Sequence, residues 1–433
     1  MKRRTLELLL FTTMTTAGAM GQINCSSGAS AQKLVCEFPF AAGVFKNDTA
    51  LGGTLNGIKN AELEAGFFNS AIAAQVSQLP LASASAGTVV RYNKQSIPET
   101  FNNLGPILTD RAETVGKHRL FLGFTASQFV FTDIDGLSLG KLPFAYSATA
   151  FKPGTNTVLS TTYTTTNTNL NFRIDQFIAV ATYGVTDKLD VTVIVPSERV
   201  SLGATTINSS SYIVNSSNEL VYSYNNPRNF SPGTASGVGD ITFNVKSEIW
   251  RGERATFSGA VNVRAATGDD QNYLGSGAWG VSPYLVYSYL ARISPHAKIG
   301  YQWNTNTELN FQINPTTNVG SNRALPGGVQ YDVGADYAAT RTLTFAADLL
   351  GSQYLNTPEL SRSTTTLQTT NLGNITLPST SPVTASYSIS NVSAGLKWGP
   401  WRNLVFSGNV LFQVNNNGLR SRPTPLVGIA YKF

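Results

Sequence analysis

TPLVGIAYKF, residues 424–433, decides the fold. Successive side chains of an extended strand point to opposite faces, so Val427, Ile429, Tyr431 and Phe433 share one face. A strand whose apolar face ends in two aromatic rings matches the wall of an outer-membrane β-barrel, with lipid on one side and the lumen on the other. Amphipathic rings favour the membrane edge, and Tyr431 with Phe433 supplies such an edge. The same pair is the expected C-terminal assembly signal, which makes the barrel assembly machinery an expected partner alongside outer-membrane lipid.

The composition of the whole chain agrees. Only 13% of its 433 residues are charged, against about a quarter in ordinary soluble domains. Hydrophobic content is 42% and the mean hydropathy is −0.05. No apolar run reaches the roughly 18 residues of a spanning helix. Low charge without hydropathy peaks is what alternating membrane strands produce, each lipid-facing residue being averaged with a small polar neighbour.

Residues 1–20 read as a signal peptide, with Lys2, Arg3 and Arg4 before a short apolar core and Ala17-Gly18-Ala19 as the cleavage site. Gln22-Ile23-Asn24 lacks the small residues that lipoprotein processing at Cys25 needs. Cys25 and Cys36 lie close together after the cleavage region, and an oxidising periplasm would let them form a disulfide. The net charge of +6 comes from scattered basic residues, so no nucleic-acid partner is expected.

The fold class is all-β, a transmembrane antiparallel barrel of about twelve strands over residues 117–433. Period-two alternation marks strands at 117–131, 170–184, 188–201, 237–250, 254–267, 277–290, 295–304, 328–339, 341–352, 388–398, 401–414 and 424–433. Long gaps (132–169, 202–236, 305–327, 353–387) and two shorter ones (268–276, 415–423) alternate with tight turns, as outer loops alternate with periplasmic turns. Twelve strands leave both ends in the periplasm. The pleat then points charges of both signs into the lumen: Asp190, Asp240, Lys246, Glu248, Arg264, Lys298, Asp332, Asp336, Asp348 and Lys397. Inward aromatics expected for an apolar path are Phe121, Phe129 and Phe131 in the first strand and Phe177 and Tyr183 in the second. The second pair is placed by its parity with Arg173 and Asp175.

Residues 21–116 form an N-terminal segment ahead of the barrel. Within it Phe68, Ile72, Val76 and Leu79 recur at helical spacing before Pro80. Such a helix would either plug the bore or lie at its periplasmic rim.

Several strings match a known pattern: FNSAIAAQ (68–75), GPILTDRAETVGKHRLFLGFT (105–125), YGVTDKLDV (183–191), GVGDI (237–241), RAATGDDQNYLGSGAWG (264–280) and ISPHAKIGYQW (293–303). The chain resembles the bacterial outer-membrane family labelled as meta-pathway phenol-degradation proteins, distantly similar to long-chain fatty-acid and aromatic-hydrocarbon transporters. That resemblance implies passive transport of small hydrophobic or aromatic solutes rather than catalysis. It also implies a plugging N-terminal segment, to which the helix near 67–79 would correspond.

No catalytic, cofactor-binding or metal-ligating residue is expected. The two histidines, His118 and His296, fall at the periplasmic edge, away from outer-leaflet lipid. Neither has a second ligand at metal spacing. Residues 267–272 hold carboxylates and amides that suggest a calcium loop, but Asp and Asn turn hydrogen bonds account for them more simply. The expected function is a channel for passive uptake of small hydrophobic or aromatic compounds. The alternatives are a narrow polar porin and a structural barrel without transport.

Overall fold

The computed structural model describes residues 104–152, 155, 157–225, 233–313, 320–401 and 403–433, with 54–55, 71–74, 76, 79, 89–92 and 98–101. The expected signal peptide, Cys25, Cys36 and Phe68 lie outside the described residues.

Twelve strands form the barrel: β1 (Leu120–Ile134), β2 (Val158–Gly184), β3 (Leu189–Asn215), β4 (Thr242–Arg251), β5 (Ala255–Arg264), β6 (Gly280–Tyr289), β7 (Ile293–Asn304), β8 (Gly328–Ala338), β9 (Leu343–Thr369), β10 (Gly373–Trp401), β11 (Leu404–Gln413) and β12 (Thr424–Lys432). Each pairs antiparallel with its neighbours in sequence. The ring closes where β12 pairs with β1, from Leu426↔Ser127 to Lys432↔Phe121. Closure leaves no unpaired edge among the twelve barrel strands, as lipid requires because it offers no hydrogen-bond partner.

Side chains sort as the pleat demands. Along β4, Thr242, Asn244, Lys246 and Glu248 are buried, while Phe243, Val245 and Ile249 are 46, 47 and 61% exposed. An exposed apolar belt of this kind is a liability in water and an asset in lipid. Exposed Trp250, Trp398 and Trp401 ring the periplasmic end, and Trp279 and Trp303 the outer end. The ten residues of β6 between these belts span about 25 Å once strand tilt is included, the height of an outer-membrane apolar band.

The outer loops differ from expectation. The stretch 353–387 is not loop: β9 and β10 run 27 and 29 residues and pair without interruption from Thr357↔Ala385 to Thr369↔Gly373. Likewise β2 begins at Val158 and β3 continues to Asn215. These extensions are rich in Thr, whose branched Cβ favours strands. They stand above the membrane band, so alternation of apolar and polar residues is not required of them. The tip of the β9–β10 hairpin clasps the turn after β3, where Thr370 N–H donates to Asn218 O (2.9 Å) and Leu220 N–H to Asn371 Oδ1 (3.0 Å). The strand Leu142–Phe151 lies along β2 and widens this collar.

Of the 67–79 stretch whose periodicity predicts a helix, the described residues 71–74 and 76 are helical and Leu79 lies in a bend. Ile72, Ala73, Ala74, Val76 and Leu79 are all buried. They join a cluster with Phe129, Phe131 and Phe172, which belong to the inner face of β1 and β2.

Leu285 sits mid-β6 on the lipid face, opposite Gly259 and Ile299. Leu285→Arg is expected to destabilise the barrel in vesicles by about 2–4 kcal/mol, the cost of a cation near the bilayer midplane. Urea titration followed by the gel shift between folded and unfolded forms would measure it.

Candidate functional site

The lumen charges hold a strap of chain. Residues 104–116 run around the inner wall from β10 to β3, and Thr109, Arg111, Ala112 and Glu113 are at most 2% exposed. Irregular backbone buried in this way must find partners for its amides and carbonyls. Lys397 Nζ donates to the carbonyls of Leu104 and Pro106. Lys246 Nζ donates to those of Arg111 (2.9 Å) and Glu113 (3.0 Å). In the other direction, Val115 N–H donates to Asp190 Oδ2 (2.8 Å) and Thr114 N–H to Glu248 Oε1 (3.1 Å). Arg111 pairs with Asp336 at 3.5 Å. The strap leaves the wall at Gly116, whose carbonyl oxygen would stand 1.9 Å from a Cβ at position 184. Only glycine allows that approach.

A second intruder is the 265–279 loop between β5 and β6. Asp240 organises it, accepting from Ser276 N–H (2.8 Å) and Gly268 N–H (3.1 Å), with Arg264 at 3.6 Å. Tyr273, in the left-handed region at φ 57°, is fully buried and meets Phe172 edge-on at 6.1 Å. Asp269 accepts from the Asn272 side chain at 2.7 Å, a bond between side chains within the loop.

Beside the strap, which contributes Leu108 and Asp110 to its lining, lies a cavity of about 230 Å³. Leu79, Leu108, Phe129, Phe131, Leu411 and Leu419 give it an apolar side. Phe129, Phe131 and Phe172 stack there in sequence at 6.2 and 5.0 Å. The opposite side is polar, with Arg264, Lys298, Asp332, Asp110 and Tyr284, and Asn391 and Arg420 also line the cavity. Lys298 pairs with Asp332 at 2.9 Å, and Tyr284 O–H donates to Asp110 at 2.9 Å.

The expected lumen residues therefore divide by task. Lys246, Glu248, Asp336 and Asp348 meet the strap, Asp240 holds the loop, and Arg264, Lys298 and Asp332 face the cavity. Phe121, Phe129 and Phe131 are buried inside. Phe177 and Tyr183 are not: at 61 and 43% exposure they point outward. The expectation took Arg173 and Asp175 as lumen charges. They pair instead with each other on the outer face, at 2.8 Å, with Gln128 donating to Asp175. Eight residues up from the start of β1, Gln128 stands about 20 Å above the periplasmic edge, where polar groups reach the headgroups. The inward residues of β2 are Phe172, Ile174, Gln176, Ile178 and Val180. Tyr183 O–H meets His118 Nδ1 at 3.0 Å on the rim.

His296 faces Thr109 (2.7 Å) and Asp348 (2.8 Å) through the same Nε2, with Asp336 at 3.7 Å from Nδ1. A nucleophile, base and acid in relay would use the two ring nitrogens separately. Here one nitrogen serves both neighbours, all of them are buried, and the arrangement fixes the strap. Among the described residues no group of three or more His, Cys, Asp or Glu could hold a metal ion.

Above the cavity, Asp135 joins three outer elements. Its carboxylate accepts from Leu360 N–H of β9 (2.8 Å) and Gly418 N–H of the 414–423 loop (2.7 Å). Burial, partly offset by those two hydrogen bonds and reinforced by Glu359, pushes its pKa up from 3.8 to about 6. The folded chain thus holds this proton more tightly than the unfolded one. The stabilisation is fully present below about pH 4 and is lost as pH rises through about 6, a change on the order of 3 kcal/mol. Asp135→Asn should flatten that part of the stability profile between pH 4 and 7, measured as the difference in urea midpoint from wild type.

Lys246→Met strips two strap carbonyls of their charged donor. A loss of about 2 kcal/mol should raise amide exchange over 104–116 by roughly thirtyfold, with β-strand amides unchanged. Hydrogen-exchange mass spectrometry reads both.

No curated protein matches the sequence. Among solved structures, an outer membrane channel from Pseudomonas putida F1 is 13% identical at a TM-score of 0.42, covering 74% of this chain and 98% of that one. A FadL homologue from Pseudomonas aeruginosa is 10% identical at a TM-score of 0.27, covering 72% and 88%. NanC porin is 9% identical at a TM-score of 0.36, covering 72% and 100%. A family model described as "Putative MetA-pathway of phenol degradation" matches residues 147–373, more than half of the chain, from the collar strand along β2 to the tip of the β9–β10 hairpin, and the protein belongs to that family.

Proposed function

We propose that the protein is an outer-membrane channel for passive uptake of small hydrophobic or aromatic compounds, with its N-terminal region as a displaceable stopper. The observation that carries this reading is the cavity between the Phe129–Phe131–Phe172 stack and the strap. At about 230 Å³ it exceeds the roughly 150 Å³ that accommodates benzene in an engineered apolar cavity. It falls short of the roughly 300 Å³ at which sites for drug-sized ligands begin. One ring with a polar substituent fits, the ring on the apolar side and the substituent toward the charged one.

Transport in this scheme is diffusion down a gradient through three closures in series. The outer collar admits the solute, the short helix and the 265–279 loop yield to the cavity, and the strap opens to the periplasm. Side-chain bonds to backbone hold much of the strap, with Ile107, Leu108 and Val115 packed into apolar clusters, and those bonds can be exchanged for water one at a time. Export through residues 1–20 and insertion by the assembly machinery, cued by Tyr431 and Phe433, complete the reading.

The polar side of the cavity favours a second reading, a narrow pore for small polar solutes. Flux into liposomes holding the refolded protein separates the two, comparing phenol with a small sugar and subtracting leakage through protein-free bilayer. Selective phenol entry, accelerated by Lys246→Met, is the expected result. Equal sugar entry would make it a general pore, and no flux of either would leave a structural barrel.

A further inference from the structure

Arg420 lies in Leu419–Ser421, the short strand that pairs with the top of β1, and is 2% exposed. A guanidinium buried this deeply normally has a carboxylate partner, because neutral acceptors offset only part of its lost hydration. Here all its partners are neutral. Nε donates to Asn415 O (2.7 Å), Nη1 to Asn391 Oδ1 (3.3 Å), and Nη2 to Ser390 O (2.7 Å) and Asn415 Oδ1 (2.5 Å). Arginine carries five N–H donors. Four are used, so one N–H on Nη1 has no acceptor among the described residues.

That nitrogen belongs to a side chain lining the cavity, and Asn391 lines it beside Arg420. The Asn391 side-chain oxygen is turned toward the guanidinium, which leaves its amide nitrogen as a second donor on the same wall. Leu411, Leu419, Phe129 and Phe131 line the apolar side. The remaining charges do not compete for an anion at this end: Lys298 is matched by Asp332 and Arg264 by Asp240.

We propose that this end of the cavity is a binding site for small aromatic carboxylates, the carboxylate accepting from Arg420 and Asn391 and the ring resting on the apolar side. The site deepens the uptake reading above, on which it rests, by naming the charge class of the cargo. A bound carboxylate gives the buried guanidinium the counter-charge that the chain withholds, through charge-assisted hydrogen bonds that are stronger than neutral ones. An uncharged ring of the same size fills the apolar side but leaves the cation unmatched. A carboxylate without a ring matches the cation but leaves the apolar side empty.

Equilibrium binding to the full-length protein in detergent, by calorimetry, tests this with three probes: benzoate, benzyl alcohol and acetate. Benzoate is expected to bind at least about tenfold more tightly than either of the others. Arg420→Gln should bring benzoate down to the level of benzyl alcohol and leave benzyl alcohol unchanged, while Arg420→Lys retains part of the preference. Benzoate binding no tighter than benzyl alcohol or acetate would overturn the proposal. So would an Arg420→Gln variant that weakens benzoate and benzyl alcohol equally. The comparison among probes on wild type needs no variant, so it decides the matter even where Arg420→Gln fails to fold. Phenol flux is measured separately: phenol transport with no benzoate preference sinks this site and spares the uptake reading, and loss of both sinks both.

Discussion

Every other feature of this molecule depends on the pairing of backbone groups in lipid. An amide facing hydrocarbon has no water to turn to, so each strand needs a neighbour on both sides and the twelfth must return to the first. The β12–β1 ladder, Leu426↔Ser127 to Lys432↔Phe121, meets that demand. Once the ring closes, the pleat leaves no choice about facing. Half of each strand belongs to lipid and is apolar, and the other half is enclosed together with whatever charges it carries.

Enclosure creates the second problem, which the strap solves. Twelve strands surround more space than the eight that wall side chains fill, and less than the sixteen to eighteen of open porins. Carboxylates and ammoniums pointing into that space would be poorly hydrated and costly. Residues 104–116 supply what water would: carbonyls for Lys246 and Lys397, amides for Asp190 and Glu248, and a guanidinium for Asp336. The strap has the same need in reverse, since its own irregular backbone is buried. Each satisfies the other, and charges of both signs line the bore because a peptide backbone presents acceptors and donors alternately.

What was legible in the sequence follows from which constraint acted on each segment. The twelve strands were readable because lipid on one side and lumen on the other impose period two. Above the membrane that constraint lapses. Residues such as Thr364-Thr365-Thr366 pair as strand in β9 without any apolar alternation to betray it. Phe177 and Tyr183 were misplaced because charge was used to assign facing, and Arg173 with Asp175 sits where the wall emerges into headgroups. The strap has no period at all. Its only trace was the family string GPILTDRAETVGKHRLFLGFT, which marks the segment without saying what it touches. Arg420 carried no signal, because its burial is made by Asn415, Ser390 and Asn391, distant in sequence or in loop.

The division of the bore into a polar floor and an apolar ceiling bears on how the proposed uptake would proceed while the barrel remains closed. An apolar contact is lost only when surfaces separate, whereas side-chain bonds to backbone carbonyls can be replaced by water one at a time, each step costing about 2 kcal/mol where the donor is charged. The floor is therefore the part that can be exchanged piece by piece. The ceiling, with Ile72, Val76, Phe129, Phe131, Phe172 and Tyr273 in one cluster, is the part that must be displaced by something equally apolar. A ring entering from outside replaces those contacts as it breaks them, so its passage costs less than opening the same space to water. Under the proposed uptake, selection for apolar cargo belongs to the ceiling and release into the periplasm to the floor.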